Sequence, residues 1–212
     1  SARACLNTPS AMRWTSADLE VMPDNGKRYE IIDGELYVSR SPNFHHQFAC
    51  NRITRYLDEW SERTALGIVN SGTGVIFADD DDVIPDVVWI SRERARSILD
   101  KKGHFHAAPD LAVEVLSPGS ANEKRDRQSK LKLYSRRGVL EYWIVNWLMS
   151  EITIYRRKGK ALRLQETLRY SDTLTSPLLP GFKCTVKSIF DVYIEVGSSA
   201  DANDSADNNS IH

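Results

Sequence analysis

The chain has 212 residues, 41% hydrophobic and 27% charged, with 28 basic against 29 acidic side chains and a net charge of −1. That suits one globular domain and excludes a molecule-wide field for nucleic acid or membranes, so polyanion binding must come from local patches. Three scattered cysteines, Cys5, Cys50 and Cys184, offer neither a disulfide framework nor metal-ligand spacing, and no apolar run approaches the roughly 20 residues of a membrane helix.

With no signal-peptide pattern either, a reducing, cytoplasmic setting without membrane is expected. Residues 1–13 lack periodicity and read as a loose arm or an expression remnant, and 193–212, rich in Ser, Asp, Asn and Ala, as a disordered tail. One domain is expected over 14–192. It opens on a short helix at 15–20 that Pro23 and Gly26 close. Strands at 28–32 and 35–39 flank Asp33-Gly34, a strong two-residue hairpin signal. A long helix follows over 44–63, with Phe44, Phe48, Ile53, Tyr56, Leu57 and Trp60 near helical spacing.

Strands at 68–70 and 75–78 lead to an acidic run, 79–82. It lacks the glycine and distal glutamate of a calcium loop and is expected to be a solvated turn. Next comes an apolar strand, 83–90, that Pro85 should bend or bulge and that contains Asp86. A short helix at 91–99 precedes a second apolar strand, 111–116, around Glu114. Ser120 and Glu123 form a capping-box pattern for a helix to about Arg137, which Gly138 is placed to end. Strands at 140–146, 151–155 and 161–166, a Pro-rich packing segment at 176–182 and a helical turn near Ile189 complete the chain. No internal repeat is present. The order implies an α/β fold with one mixed central sheet flanked by helices.

The chemistry lies in the two carboxylates set in apolar strands. Alternation puts Ala112, Glu114 and Leu116 on one face and Leu111, Val113 and Val115 on the other, so the acid interrupts a core surface. An ionised carboxylate there needs a cation, proton or donor to compensate it. Asp86 is equally compatible with a structural ion pair. A hard divalent cation such as Mg²⁺ takes one or two carboxylates, and Asp86, Glu114 and the backbone carbonyl near Val115 would suit it.

The helix after Glu114 carries seven basic residues against Glu123 and Asp126. Most, including Arg125 and Arg127, read as a solvated face. Lys130 shares a stripe with Asp126, Leu133 and Tyr134, and the apolar members should turn it inward. Lys124 lies about 120° away around a regular helix and is the fallback if Lys130 meets solvent. Glu30 shares a hairpin face with Ile32, Glu35 and Tyr37, which suits either a further metal-site acid or a surface carboxylate. His45 and His46 open the long helix, as polar first-turn residues or as one that touches phosphate or orients an acid.

The ordered series 28–36 (RYEIIDGEL), Ser41-Pro42, His45-His46-Gln47, Pro85-Asp86 and 108–118 (APDLAVEVLSP), then Asp126, Lys130, Tyr134 and 138–145 (GVLEYWIV), resembles the Uma-type restriction endonuclease family of the PD-(D/E)XK nuclease superfamily. The likeness spans about 14–190. It implies a restriction-endonuclease-like core, Asp86 and Glu114 as metal ligands, Glu30 as a further active-site acid, and His46 rather than His45 as the family histidine. One departure stands out: Glu-x-Lys would place lysine at 116, where this chain has Leu116, and Lys130 on the next helix matches instead.

The expected function is then metal-dependent hydrolysis of DNA phosphodiester bonds, using Mg²⁺ or Mn²⁺. Arg125, Arg127 and Arg92, with Arg94 and Arg96, are candidate contacts to the phosphate backbone. The resemblance also implies a homodimer, which would suit a duplex. The rival reading is a catalytically silent nuclease-like module that binds nucleic acid or protein, which Leu116 favours.

Overall fold

The computed structural model describes residues 12–192; the expected N-terminal arm, apart from its last two residues, and the expected tail lie outside them. Helix α1 (Ser16–Leu19) precedes the hairpin β1 (Arg28–Ile32) and β2 (Glu35–Ser39). Asp33 and Gly34 both adopt left-handed φ, 54° and 76°, the type I′ geometry whose twist matches the flanking strands. The register pairs Glu30 with Tyr37 and Ile32 with Glu35, so these four share a face as expected.

Helix α2 (Phe44–Thr64) begins where the Asn43 side chain accepts the His46 N–H. Its buried Ala49, Cys50, Ile53, Leu57 and Trp60 recur every three or four residues. Sequestering large side chains such as Ile53 and Leu57 contributes about 1.5–3 kcal/mol each. Strands β3 (Gly67–Ser71), β4 (Val75–Ala78), β5 (Asp81–Val83) and β6 (Val87–Ser91) follow, then α3 (Arg92–Ile98) and β7 (Leu111–Val115). The acidic run is therefore only in part the expected solvated turn, at Asp79 and Asp80, and its second half, Asp81 and Asp82, enters β5. Asp81 is buried in β5, which pairs with β1 and β4, because Arg136 and Arg137 reach it.

The next helix departs from the regular spiral expected of it. α4 (Ser120–Lys124) runs into a π-helical segment, Arg125–Lys130, and continues as α5 (Leu131–Arg137). Its N-cap is Gly119, whose carbonyl accepts the Glu123 N–H, so the Ser120/Glu123 capping box does not form. Gly138, at φ 94°, ends α5 with the left-handed residue that glycine adopts without a Cβ clash.

Strands β8 (Glu141–Asn146), β9 (Glu151–Lys158) and β10 (Ala161–Leu168) complete a six-stranded sheet in the order β10-β9-β8-β7-β6-β3, in which only β7 and β8 are parallel. A short ribbon, β11 (Thr173–Thr175) with β12 (Lys183–Thr185), and helix α6 (Val186–Phe190) close the described chain. The ribbon and β5 have no counterpart in the sequence reading, since three-residue strands are too short to show a period.

The sheet divides the core into two layers. One holds Leu111, Val113 and Val115 with the apolar face of α2; the other holds Ala112, Leu116, Leu133, Tyr134 and the hairpin sheet's Ile32 and Val83. The alternation read around Glu114 thus corresponds to two real faces. Glu114 shares its face with α5 and the hairpin sheet.

Candidate active site

The site grows from the ends of β6 and β7. These strands pair Val87 with Val113 and Val88 with Ala112, and Asp86, one residue before β6, meets the end of β7 at the Val115 N–H. Asp86 lies just ahead of β6, after Pro85, which has no ladder hydrogen bond to give. Its Oδ2 accepts the Val115 N–H at 2.9 Å and lies 3.3 Å from His46 Nε2; its Oδ1 accepts from Arg28 at 2.8 Å. The contact Val115 makes there is through its N–H, which donates to Asp86, and not through the carbonyl expected as a metal ligand. Burial alone would raise the Asp86 carboxyl, but His46, Arg28 and Lys130 hold it well below the usual carboxylate range.

Lys130 is wholly buried and turned inward. Its Nζ lies 2.8 Å from Glu30 Oε1 and 2.9 Å from Glu114 Oε1. Glu30 also accepts the Ile84 N–H at 2.8 Å, and despite its burial the Lys130 and Arg125 charges hold it below its ordinary value. Glu114 Oε1 additionally accepts the Tyr134 hydroxyl at 2.6 Å. Burial, and then the Asp86, Asp126 and Glu30 charges, push Glu114 up to about 8 against the pull of Lys130. Four carboxylates (Glu30, Asp86, Glu114 and Asp126) face three permanent cations (Lys130, Arg125 and Arg28), so one acid is left to hold a proton or accept another cation.

The π-helical segment explains Arg125. In a regular helix it would lie about 140° from Lys130. Winding with i→i+5 bonds brings residues five apart onto one side. Arg125 is accordingly buried, paired with Asp126 at 2.8 Å and 4.0 Å from Glu30, rather than on the solvated face expected of it. Asp126 is buried with it and its carbonyl accepts the Tyr142 hydroxyl. Lys124 is exposed, and Arg127 turns toward Glu123 at 3.6 Å.

Above this cluster opens a cleft of about 310 Å³, lined by His46, Asp86, Ser117, Arg125, Ser41 and the basic rim Lys27, Arg28 and Arg40. Arg92 does not reach it. It starts α3 beyond the other end of β6, roughly 20 Å along the strand direction from Asp86. Arg94 is held by Asp110 and the Ala108 carbonyl.

Three residues were not expected as members of the site: Arg28, Tyr134 and Cys50. Each carried a signal. Arg28 is two residues from Glu30 on an alternating strand, Tyr134 is one turn beyond Lys130, and Cys50 is one turn beyond His46. Cys50 Sγ lies 3.7 Å from His46 Nδ1.

Carboxylate oxygens suit a hard divalent cation; Asp86 lines the solvent-open cleft, and Glu114 is buried beneath it, held by Lys130 and Tyr134. Among the described residues no helix is long and apolar enough to cross a membrane.

Comparison with solved structures gives the same architecture. A protein from Anabaena variabilis, titled a putative nuclease of DUF820, superposes with a TM-score of 0.66 at 16% identity, covering 83% of this chain and 97% of its own. No curated protein matches. The model of the Uma2 family, described as "putative restriction endonuclease", matches residues 16–187, and the chain belongs to that family.

Proposed function

We propose that this nuclease-family chain is a metal-dependent endonuclease that hydrolyses DNA phosphodiester bonds. The observation that carries the reading is the meeting of Glu30, Asp86, Glu114 and Lys130, from four separate segments, beneath one cleft with a basic rim. Mg²⁺ or Mn²⁺ held by Asp86 and Glu114 would supply Lewis-acid polarisation of the phosphate and a more acidic water.

The chain's own groups do the rest. Lys27, Arg28 and Arg40 at the rim bind the phosphodiester backbone, a contact that gives affinity and salt dependence without reading sequence. His46 and the Val115 N–H together orient Asp86 through its Oδ2. Lys130 and Tyr134 fix the Glu114 carboxyl. The buried ammonium places fixed positive charge beside the oxygens on which negative charge develops, where it is worth most in a water-poor site. Arg28 has a second consequence. Its guanidinium occupies Asp86 Oδ1, so a cation entering there competes with it, and the displaced side chain is left at the rim for a phosphate.

One observation favours the silent-module reading: Leu116, at the position of the superfamily lysine, is buried in the apolar layer and leaves no cation on the strand itself. Plasmid and short duplexes incubated with Mg²⁺ or Mn²⁺ separate the two. Cleavage by wild type and none by Asp86→Ala supports the endonuclease. Equal cutting by both, or duplex binding without cutting by wild type, refutes it.

A further inference from the structure

The floor of the cleft holds a second donor set, which shares His46 and Asp86 with the proposed chemistry and adds the buried Cys50, which that chemistry does not use. His46 and Cys50 lie one turn apart on α2, and Asp86 reaches them from the strand side. Cys50 Sγ is 3.7 Å from His46 Nδ1, and His46 Nε2 is 3.3 Å from Asp86 Oδ2. One donor from each residue can be chosen so that all three lie within 4.8 Å of one another. Thiolate, imidazole and carboxylate around a tetrahedral Zn²⁺ sit about 3.5 Å apart; an ion takes one of the two His46 nitrogens, and seating it draws the three donors together from separations of at most 4.8 Å. The helix start is pinned by the Asn43 cap on the His46 N–H, which holds the His46/Cys50 pair on a rigid element. A fourth position faces the cleft, which His46 and Asp86 line.

The same three residues also suggest a nucleophilic Cys–His–Asp relay, but that needs an accessible thiolate. The Cys50 thiol is buried, and burial, with the Asp86 and Glu114 charges, pushes its titration upward. A thiophilic cation changes this balance, because it binds the deprotonated sulfur and cancels the neighbouring negative charge.

We propose that His46, Cys50 and Asp86 form a binding site for a thiophilic divalent cation of the Zn²⁺ type. Because its donors include Asp86, this ion and the hard cation between Asp86 and Glu114 exclude one another, so zinc inhibits the nuclease. The exclusion rests on the preceding reading; the site itself does not. The sulfur ligand sets the selectivity, since hard cations such as Mg²⁺ avoid thiolates.

The test uses the full chain, stripped of metal by a chelator, with Cys5→Ser and Cys184→Ser leaving Cys50 as the sole thiol. Titration with Co²⁺ alone is expected to give one equivalent bound, with a thiolate-to-cobalt absorption band that Zn²⁺ removes and Cys50→Ser lacks. By calorimetry, Cys50→Ser and separately His46→Gln weaken Zn²⁺ by more than the roughly 10–100-fold that changes beyond the ligands themselves cost. A missing band, a band that survives in Cys50→Ser, or unchanged Zn²⁺ affinity in both variants overturns the site. Mg²⁺ raises the apparent Zn²⁺ Kd if the two share Asp86. Measurable Mg²⁺ binding with no such rise overturns the exclusion, whereas a Co²⁺ band in a chain that binds no Mg²⁺ overturns the hard-cation reading and upholds this site.

Discussion

Two buried acid clusters tie the hairpin sheet to the helix that follows β7, and they are built from the same parts to opposite ends. Around Lys130, four carboxylates share three permanent cations beside an open cleft. Around Asp81, two arginines serve one buried carboxylate: Arg136 and Arg137 both donate to it, Arg136 reaches the exposed Asp33 as well, and the Asp33 N–H adds a further bond. Burial would raise both acids. The surplus of donors holds Asp81 below its ordinary value, whereas the surplus of acids leaves Glu114 near 8. A buried carboxylate with saturated partners is a clamp. One whose cluster lacks a positive charge, next to solvent, is a place for a cation.

Four experiments bear on that contrast. The largest effect is expected at Lys130. Lys130→Met should cut cleavage by about 10²–10³-fold, the loss typical of one preorganised electrostatic group. It should also cost about 3–5 kcal/mol of stability, because two carboxylates lose their buried counter-ion. Adding Glu30→Gln should recover part of the stability in a denaturant melt but none of the activity. Full activity in Lys130→Met would break the comparison at its functional end.

Asp81→Asn should lower stability by about 2 kcal/mol near neutral pH, less than a fully buried pair because both arginines are partly exposed, with activity per folded molecule unchanged. The sign with pH follows from the lowered Asp81 value. Its contribution is present above the unfolded carboxyl's ordinary range near 3.8 and is lost as pH falls through the folded value, so wild type and variant should converge in acid melts. A difference that persists or widens in acid would show that the arginines act on something other than the charge.

Arg28→Met should tighten Mg²⁺ by about tenfold in calorimetry. A charge-assisted hydrogen bond contributes about 1.5–3 kcal/mol, and solvent at the rim trims that. Weaker Mg²⁺ binding would mean that Arg28 helps to build the site rather than competing for it. The smallest effect separates the two arginine groups. Arg40→Ala should lower the slope of log affinity against log salt by about 1, and Arg92→Ala should leave it unchanged. Equal slopes in both would move the nucleic-acid path away from the cleft.

Much of this site was legible because its cues are local. Asp33-Gly34 fixed the hairpin and with it the face of Glu30, and alternation through Leu111–Val115 put Glu114 against a core surface. The stripe of Asp126, Lys130, Leu133 and Tyr134 turned Lys130 inward. What escaped was of longer range. Asp81 looked solvated because the arginines that neutralise it lie more than fifty residues on. Arg125 looked solvated because a 3.6-residue period presumes an α-helix, and the π-helical winding does not announce itself in residue types.

The sequence by itself determined the order of the longer elements, the two-faced central strand and the family series, because hydrophobic period and turn chemistry are written residue by residue. Only the tertiary structure decided which cations meet which acids. Burial makes each unpaired charge costly, and the chain meets that cost with whichever partner the packing brings within reach, wherever it stands in the sequence.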